Sequence, residues 1–434
     1  MTIASVNLWG RRIGAILWEA DQQLGRFEYD PAFVSSGIEL APLMMPLAAR
    51  DYIFPALNRD TFHGLPGMLA DVLPDRYGNA LIDAWLVSEG RNPGSFNPVE
   101  RLCYTGTRGI GALEFQPTLG DANRSSNPLD VAMLVDLAGR ILSDRKSFVT
   151  SLKDGAEGRA MSDILRVGTS AGGARAKAVI AWNPATGEVR SGDAEHESGF
   201  SHWLLKFDGV TNNRDRELAM PKGYGKIEYA YYKMAVAAGI EMMECRLLHE
   251  NDRSHFVTKR FDRNDEGEKL HQQSLCAMAH FDFNMAGAYS YEQAMLVMRQ
   301  LHLPMASIEQ QFRRAAFNVI ARNQDDHVKN IAFLMDKSGA WALSPAFDMT
   351  YNYNPEGLWT NSHQMSLNGK RRGFAHSDFT ACGETLSMQR GRATEIVEQV
   401  RKVVAEWKNF AANAGVPAAT AQQISSTHRL EMPL

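Results

Sequence analysis

The chain has 434 residues, enough for two or three domains at roughly 100–200 residues each. With 44% apolar and 22% charged residues it can bury sizeable cores, and a net charge of −4 excludes a general nucleic-acid binder that works by bulk electrostatics. No apolar run approaches the ~18 residues of a membrane span, and the N-terminus lacks a charged-then-apolar leader pattern. A cytoplasmic location without a membrane partner is expected. Cys103, Cys245, Cys276 and Cys382 match no zinc or redox spacing and read as reduced, buried thiols. The histidines, among them His196, His202, His249 and His255, form no metal set.

In chain order, residues 4–8, 13–18 and 25–29 are short apolar runs between turn signals and read as a small β-sheet. Residues 68–86 form a largely helical segment interrupted at Pro74. A loop at 120–128 and a helix over 129–142 follow, and 153–162 reads as a mobile connector. The loop Gly168-Thr169-Ser170-Ala171-Gly172-Gly173-Ala174-Arg175-Ala176-Lys177 then leads into a strand at 178–182. Its small residues let backbone N–H groups approach phosphate oxygens, and Arg175 and Lys177 add positive charge. It is not a P-loop, because no Gly-Lys-Ser/Thr ends it and a strand follows. Most such loops are simply turns.

Trp203, Leu204, Leu205 and Phe207 make a strand around Lys206, and an interior lysine there needs an anionic partner. An edge-strand lysine facing water carries the same letters. Ile227, Tyr231, Met234, Ala235 and Ala238 recur at helical spacing before Gly239, with Glu228 expected in the first turn, where the helix dipole favours an acid in any case. From about residue 270 helices dominate. The last long one holds Ile396, Val397, Val400, Val403, Val404, Trp407 and Phe410 on one face and closes at Gly415 and Pro417. No internal repeat or low-complexity segment is evident. The run Lys370-Arg371-Arg372 reads as a solvated turn after Asn368-Gly369, with contact to a partner or DNA as the alternative.

The chemistry concentrates in Asn323-Gln324-Asp325-Asp326-His327-Val328-Lys329-Asn330, followed by a hairpin and Ser344-Pro345-Ala346-Phe347-Asp348. Asp325 and Asn330 are five positions apart, and Asp348 lies eighteen further on. Kinase catalytic loops use this order: an Asp that accepts the substrate hydroxyl's proton, an Asn that holds magnesium, and a later Asp that holds the rest. A polar loop capping the preceding helix is the plain alternative.

These blocks together resemble the HipA family of serine/threonine kinases, the toxin halves of bacterial toxin–antitoxin pairs. His63-Gly64-Leu65-Pro66-Gly67-Met68-Leu69-Ala70-Asp71-Val72-Leu73-Pro74-Asp75 is similar to that family's Gly-Leu-Pro signature. Ser170 to Lys177, Leu205-Lys206, Glu228-Tyr229-Ala230-Tyr231, Lys259-Arg260-Phe261-Asp262-Arg263, the 323–330 loop, Pro345 to Asp348 and Met365-Ser366-Leu367-Asn368-Gly369 follow in the family's order. The resemblance implies an α+β, two-lobed protein-kinase-like fold with an N-terminal β-rich extension and a helical C-terminal lobe. The expected division is a HipA-type domain at 1–110, a connector with a helix at 111–164, a nucleotide-binding lobe at 165–262 and a helical catalytic lobe at 263–434.

It further implies ATP and Mg2+ as cofactors, with Asp325 as catalytic base and Asn330 and Asp348 as magnesium ligands. Lys206, partnered by Glu228, would contact the nucleotide phosphates. Gly172, Gly173, Ala174, Arg175, Ala176 and Lys177 would cover them, and His327 and Lys329 would line the site. Lys259, Arg260 and Phe261 would meet adenine, and Ser170 would be autophosphorylated, with Thr169 as a second hydroxyl beside it. Expected partners are a HipB-like DNA-binding antitoxin, through which DNA would mostly be contacted, and a protein of translation such as an aminoacyl-tRNA synthetase. Two departures stand out: Lys259 replaces an acidic residue of better-known members, and no glycine directly follows Asp348. The Asp-x-His-x-x-Asn loop also resembles lipid kinases, so a lipid or small-molecule kinase stays open, as does an antitoxin-bound co-repressor with little kinase activity.

Overall fold

A computed structural model describes residues 2–119, 128–143, 156–169, 175–192, 198–210, 222–264 and 266–433. Ser170, Gly172, Gly173 and Ala174 lie outside the described residues. The chain divides into two compact units. The first comprises Met1–Asn213, Leu248–Gln273 and Met335–Gly339, and the second Arg214–Leu247, Ser274–Leu334 and Ala340–Leu434.

The first unit opens on an antiparallel sheet of β1 (Thr2–Leu8), β2 (Arg11–Glu19), β3 (Leu24–Tyr29), β4 (Asp51–Tyr52) and β5 (Leu113–Gln116), ordered β4-β3-β2-β1-β5. Alternation places Ala4, Val6, Leu8, Ile16, Trp18, Phe27 and Tyr29 on the buried side. Trp9 and Gly10 join β1 to β2 with both φ angles positive (50° and 77°), as a two-residue hairpin of matching twist requires. The expected break at Pro74 is present, between the helices Gly67–Ala70 and Arg76–Ser88.

A second antiparallel sheet contains β6 (Lys177–Trp182), β7 (Val189–Ser191), β8 (Ser201–Lys206), β9 (Cys245–Glu250) and β10 (Arg253–Lys259), ordered β7-β6-β8-β10-β9. Ile180, Trp203, Leu205 and Val257 from this sheet share a core with Tyr77, Leu81, Leu134 and Ile164 of the helices Arg76–Ser88, Val131–Ser143 and Ala156–Gly168. The last of these helices corrects the connector expected at 153–162. Met161, Ile164 and Leu165 fall on one helical face, and burying that face outweighs the polar, glycine-containing composition around it.

The second unit is mainly helical, with Tyr224–Ala237, Tyr291–Gln300, Met305–Ile320, His376–Thr385, Arg392–Ala405, Trp407–Asn413 and Ala418–Ser425 as its longer helices. Strands Ala332–Met335 and Trp341–Leu343 form the hairpin that follows the 323–330 loop. The single C-terminal helix expected through Phe410 is two helices, broken at Glu406. The break turns Trp407 into the core, where its indole lies 4.9 Å from the Tyr231 ring and donates to the Ala421 carbonyl at 2.9 Å. Glu228 sits in the second turn of Tyr224–Ala237, buried, not in the first. All four cysteines are free and buried. No helix among the described residues is long and apolar enough to cross a membrane.

Candidate active site

The 323–330 loop is set by asparagines rather than by regular structure. Helix Met305–Ile320 ends and Arg322 turns the chain at φ 60°. Asn323 then donates to the Asn318 side chain at 2.9 Å and to the Asp348 carbonyl at 3.3 Å, and accepts from Asn352 at 3.0 Å. Backbone bonds from Gln324 to Asn352 (2.9 Å) and from Asn352 to Arg322 (3.1 Å) hold the same two segments together. Asp348 itself sits at φ 53°, a left-handed conformation uncommon for a residue other than glycine.

These constraints gather Asp325, Asn330 and Asp348. The Asn330 amide nitrogen donates to the Asp325 backbone carbonyl at 2.8 Å, which turns the amide oxygen away as a donor atom for a cation. The Asp325 carboxylate accepts from the Trp359 indole at 2.6 Å and lies 3.7 Å from His327 Nε2. Desolvation raises the Asp325 carboxyl above the ordinary range; His327 and Trp359 oppose that, and the charges of Asp348 and Asp326 add to it. Its side chain keeps 36% of its surface accessible. Lys329 holds its ammonium 5.3 Å from the Phe283 ring centre, and His327 packs 5.4 Å from the same ring.

Asp326 plays a different part from its neighbour. Its buried carboxylate accepts from Tyr291 Oη at 2.6 Å, the Gln364 backbone N–H at 2.7 Å and His363 Nδ1 at 2.6 Å. Burial would raise this carboxyl, but His363, Tyr291 and Gln364 outweigh it and hold the group below the ordinary range. Burial keeps His363 neutral, so its Nε2 accepts from Arg429 at 2.9 Å. Sequence reasoning missed Trp359, His363 and this use of Asp326. The adjacent Asp325-Asp326 pair was the one available signal.

In the first unit, Lys177, Lys206 and Phe256 stand in register across β6, β8 and β10. The Lys206 ammonium lies 5.6 Å from the Phe256 ring centre. Lys177 is buried with its ammonium 3.8 Å from Asp75, whose other oxygen caps helix Arg76–Ser88 by accepting from Gly78 N–H at 2.6 Å. Ala176 is buried and Arg175 half-buried. Thr169 is also buried, and its hydroxyl donates to the Leu165 carbonyl at 2.7 Å. Arg260 is committed to Asp262 by bonds of 2.7 and 2.5 Å, and its backbone N–H donates to His202 at 2.9 Å. Lys259 and Phe261 flank it, half-buried. Among the described residues no group of three or more His, Cys, Asp or Glu has the arrangement of a metal site.

Comparison with known proteins places the chain in a family. The HipA-like C-terminal domain matches residues 169–407 and the HipA N-terminal domain matches residues 4–116. The chain belongs to the HipA-like family. Among curated proteins it is 24% identical over 219 residues to "Putative kinase Y4mE" of Sinorhizobium fredii, covering 46% of this chain and 48% of that one. It is 26% identical over 134 residues to a "Putative kinase" of Haemophilus influenzae, covering 28% and 39% respectively. The matched segment thus spans half or less of those relatives. The HipA toxin of Shewanella oneidensis MR-1, solved with HipB and operator DNA, superposes with a TM-score of 0.67 at 16% identity over 98% of this chain and 96% of that one. That likeness establishes the α+β, two-lobed kinase-like fold.

Proposed function

We propose that the protein is an ATP- and magnesium-dependent kinase of HipA type, transferring phosphate to a serine or threonine hydroxyl. The observation that supports this best is the Asp325–Asn330–Asp348 set, in which the amide of Asn330 is tied to the backbone of the proposed base. Asp325 positions the acceptor hydroxyl and takes its proton, and its raised affinity for a proton suits that task. Asn330 and Asp348 suit a magnesium ion: one turned amide oxygen and one carboxylate whose charge burdens Asp325 make an oxygen-donor set that a cation would relieve. Bound there, magnesium would neutralise charge on the transferring phosphate.

Lys206, Glu228, His327, Lys329 and the 172–177 loop are assigned to nucleotide binding. Within that loop Lys177 acts through its pairing with Asp75, bracing the strand. Residues 259–261 are assigned to adenine, through carbonyls and the Phe261 ring, since the Arg260 guanidinium and N–H are already engaged. Ser170 is the proposed autophosphorylation site. The buried, bonded hydroxyl of Thr169 makes the neighbouring residue a poor acceptor.

The Shewanella structure holds HipB and operator DNA, and by analogy a HipB-like antitoxin is proposed as partner, with a translation protein as substrate. The test is mass spectrometry after incubation with Mg-ATP, beside Asp325→Asn. Phosphate on Ser170 in wild type alone is the expected result. Equal phosphate in the variant removes Asp325 from the mechanism, and none in either favours the co-repressor reading.

A further inference from the structure

Behind the 323–330 loop, within the second unit, a cavity of about 500 Å³ is lined by Arg322, Tyr353, Asn361, Arg372, Phe374 and Arg429, with Glu431 as its one carboxylate. Three guanidinium groups against one acid leave the walls strongly positive. All three are held by neutral acceptors. Arg322 donates to the Thr427 carbonyl at 2.6 Å and to Gln324 Oε1 at 3.1 Å. Arg429 donates to the Val319 carbonyl at 2.5 Å, to Gln324 Oε1 at 2.9 Å and to His363 Nε2. Arg372 donates to Asn361 Oδ1 at 2.8 Å. Among the described residues no carboxylate lies within ion-pair distance of any of them. Arg322 and Arg429 are further fixed against the Tyr353 and Phe374 rings, at 4.4 and 5.3 Å. Burial, with Arg322 adding to it, pushes the Arg429 guanidinium down to about 9. Arg322 and Arg429 converge on one amide oxygen with Arg372 at the same cavity and Glu431 as the single lining carboxylate, and planar forks in such an array suit phosphate oxygens.

We propose that this cavity binds a phosphate-bearing ligand of up to mononucleotide size, and that its occupation is transmitted to the catalytic loop. The volume lies within the range of small-ligand pockets. The route of transmission is short. Gln324 Oε1 accepts from both Arg322 and Arg429, its amide nitrogen donates to the Thr360 carbonyl at 2.8 Å, and the next residue is Asp325. A phosphate that draws the two guanidiniums toward itself loosens their hold on Gln324. Trp359, which donates to the Asp325 carboxylate, directly precedes Thr360. The binding claim stands on the cavity alone, whereas its consequence for catalysis rests on Asp325 being the base.

The test is calorimetric titration with inorganic phosphate and separately with AMP, on wild type, Arg372→Glu, Arg372→Lys and Lys206→Met. Arg372 is exposed, so its substitution spares the core. Saturable phosphate binding is expected, weakened about tenfold or more by Arg372→Glu, largely kept by Arg372→Lys and unchanged by Lys206→Met. AMP binding tighter than phosphate would assign the source as a nucleotide, and equal binding as phosphate itself. No saturation with either probe, or equal affinity in Arg372→Glu, overturns the proposal. So does loss of binding in Lys206→Met, which would put the phosphate at the candidate nucleotide site. In the same samples the 15N-indole resonance of Trp359 is expected to shift on phosphate addition, and a resonance that stays put overturns the transmission. Should Asp325→Asn prove fully active while these titrations hold, Asp325 falls as the base and the consequence for catalysis falls with it, while the binding claim stands.

Discussion

Asp325 and Asp326 are adjacent carboxylates pushed in opposite directions. Desolvation, with the charges of Asp348 and Asp326 adding to it, raises the proton affinity of Asp325 against the opposing His327 imidazole and Trp359 indole. With Asp325 as the proposed base, its protonated form is inactive, and activity is expected to fall as pH drops through that raised value. A kcat profile of the wild type should show an acid limb with its midpoint above the ~3.9 of a free aspartate. A midpoint at or below that value would argue for a different base. Asp326 accepts three hydrogen bonds and is held anionic. Its folded value lies below the unfolded one, so its contribution to stability is present above pH ~3.9 and is lost as pH falls through the folded value. Asp326→Ala would strand His363, Tyr291 and Gln364 without an acceptor and should cost about 3–5 kcal/mol in urea unfolding. A loss under about 1 kcal/mol would show that the network is not organised by this residue.

At the scale of elements, the loop depends on Asn323, which is buried and uses both ends of its amide. Asn323→Ala leaves Asn352 and the Asp348 carbonyl short of a partner and should cost about 2 kcal/mol or more, with activity reduced even where the protein stays folded. Retained activity at wild-type stability would show that Asp348 is placed by its own backbone. Much of this level was legible beforehand. The first three strands, the break at Pro74 and the hairpin after Asn330 follow from alternation, proline and turn chemistry. The spacing of Asp325, Asn330 and Asp348 pointed to the loop. Trp359 and His363 were not legible, because they arrive from an irregular segment whose course is set by tertiary hydrogen bonds. The helix Ala156–Gly168 was missed because its glycines and charges mask an apolar face that the second sheet and two neighbouring helices cover. The division of the last helix at Glu406 was hidden because Trp407 continues the apolar stripe in sequence while turning inward in space.

Across the whole molecule, both units bury neutral histidines. Burial lowers His255 and His280 to about 4 and His271 and His428 to about 3. An unfolded chain binds protons at these rings below pH ~6.5 while the folded chain does not, so stability falls from there toward about pH 4. Each ring contributes a loss of up to ~1.4 kcal/mol per pH unit. Urea midpoints should therefore drop steeply between about pH 6.5 and about pH 4, and a flat profile would show that these rings are solvated. The Asp75–Lys177 pair has a consequence of another kind. It ties the first strand of the second sheet to a residue that leaves the ribosome about a hundred residues earlier. Burying Lys177 takes a charge out of water, and the Asp75 carboxylate offsets that cost, so the later strand docks best on an early segment that already carries it. A chain that folds as it is made would meet this strand with the carboxylate already present, and a nascent chain stalled before Lys177 would hold that carboxylate with nothing yet to receive.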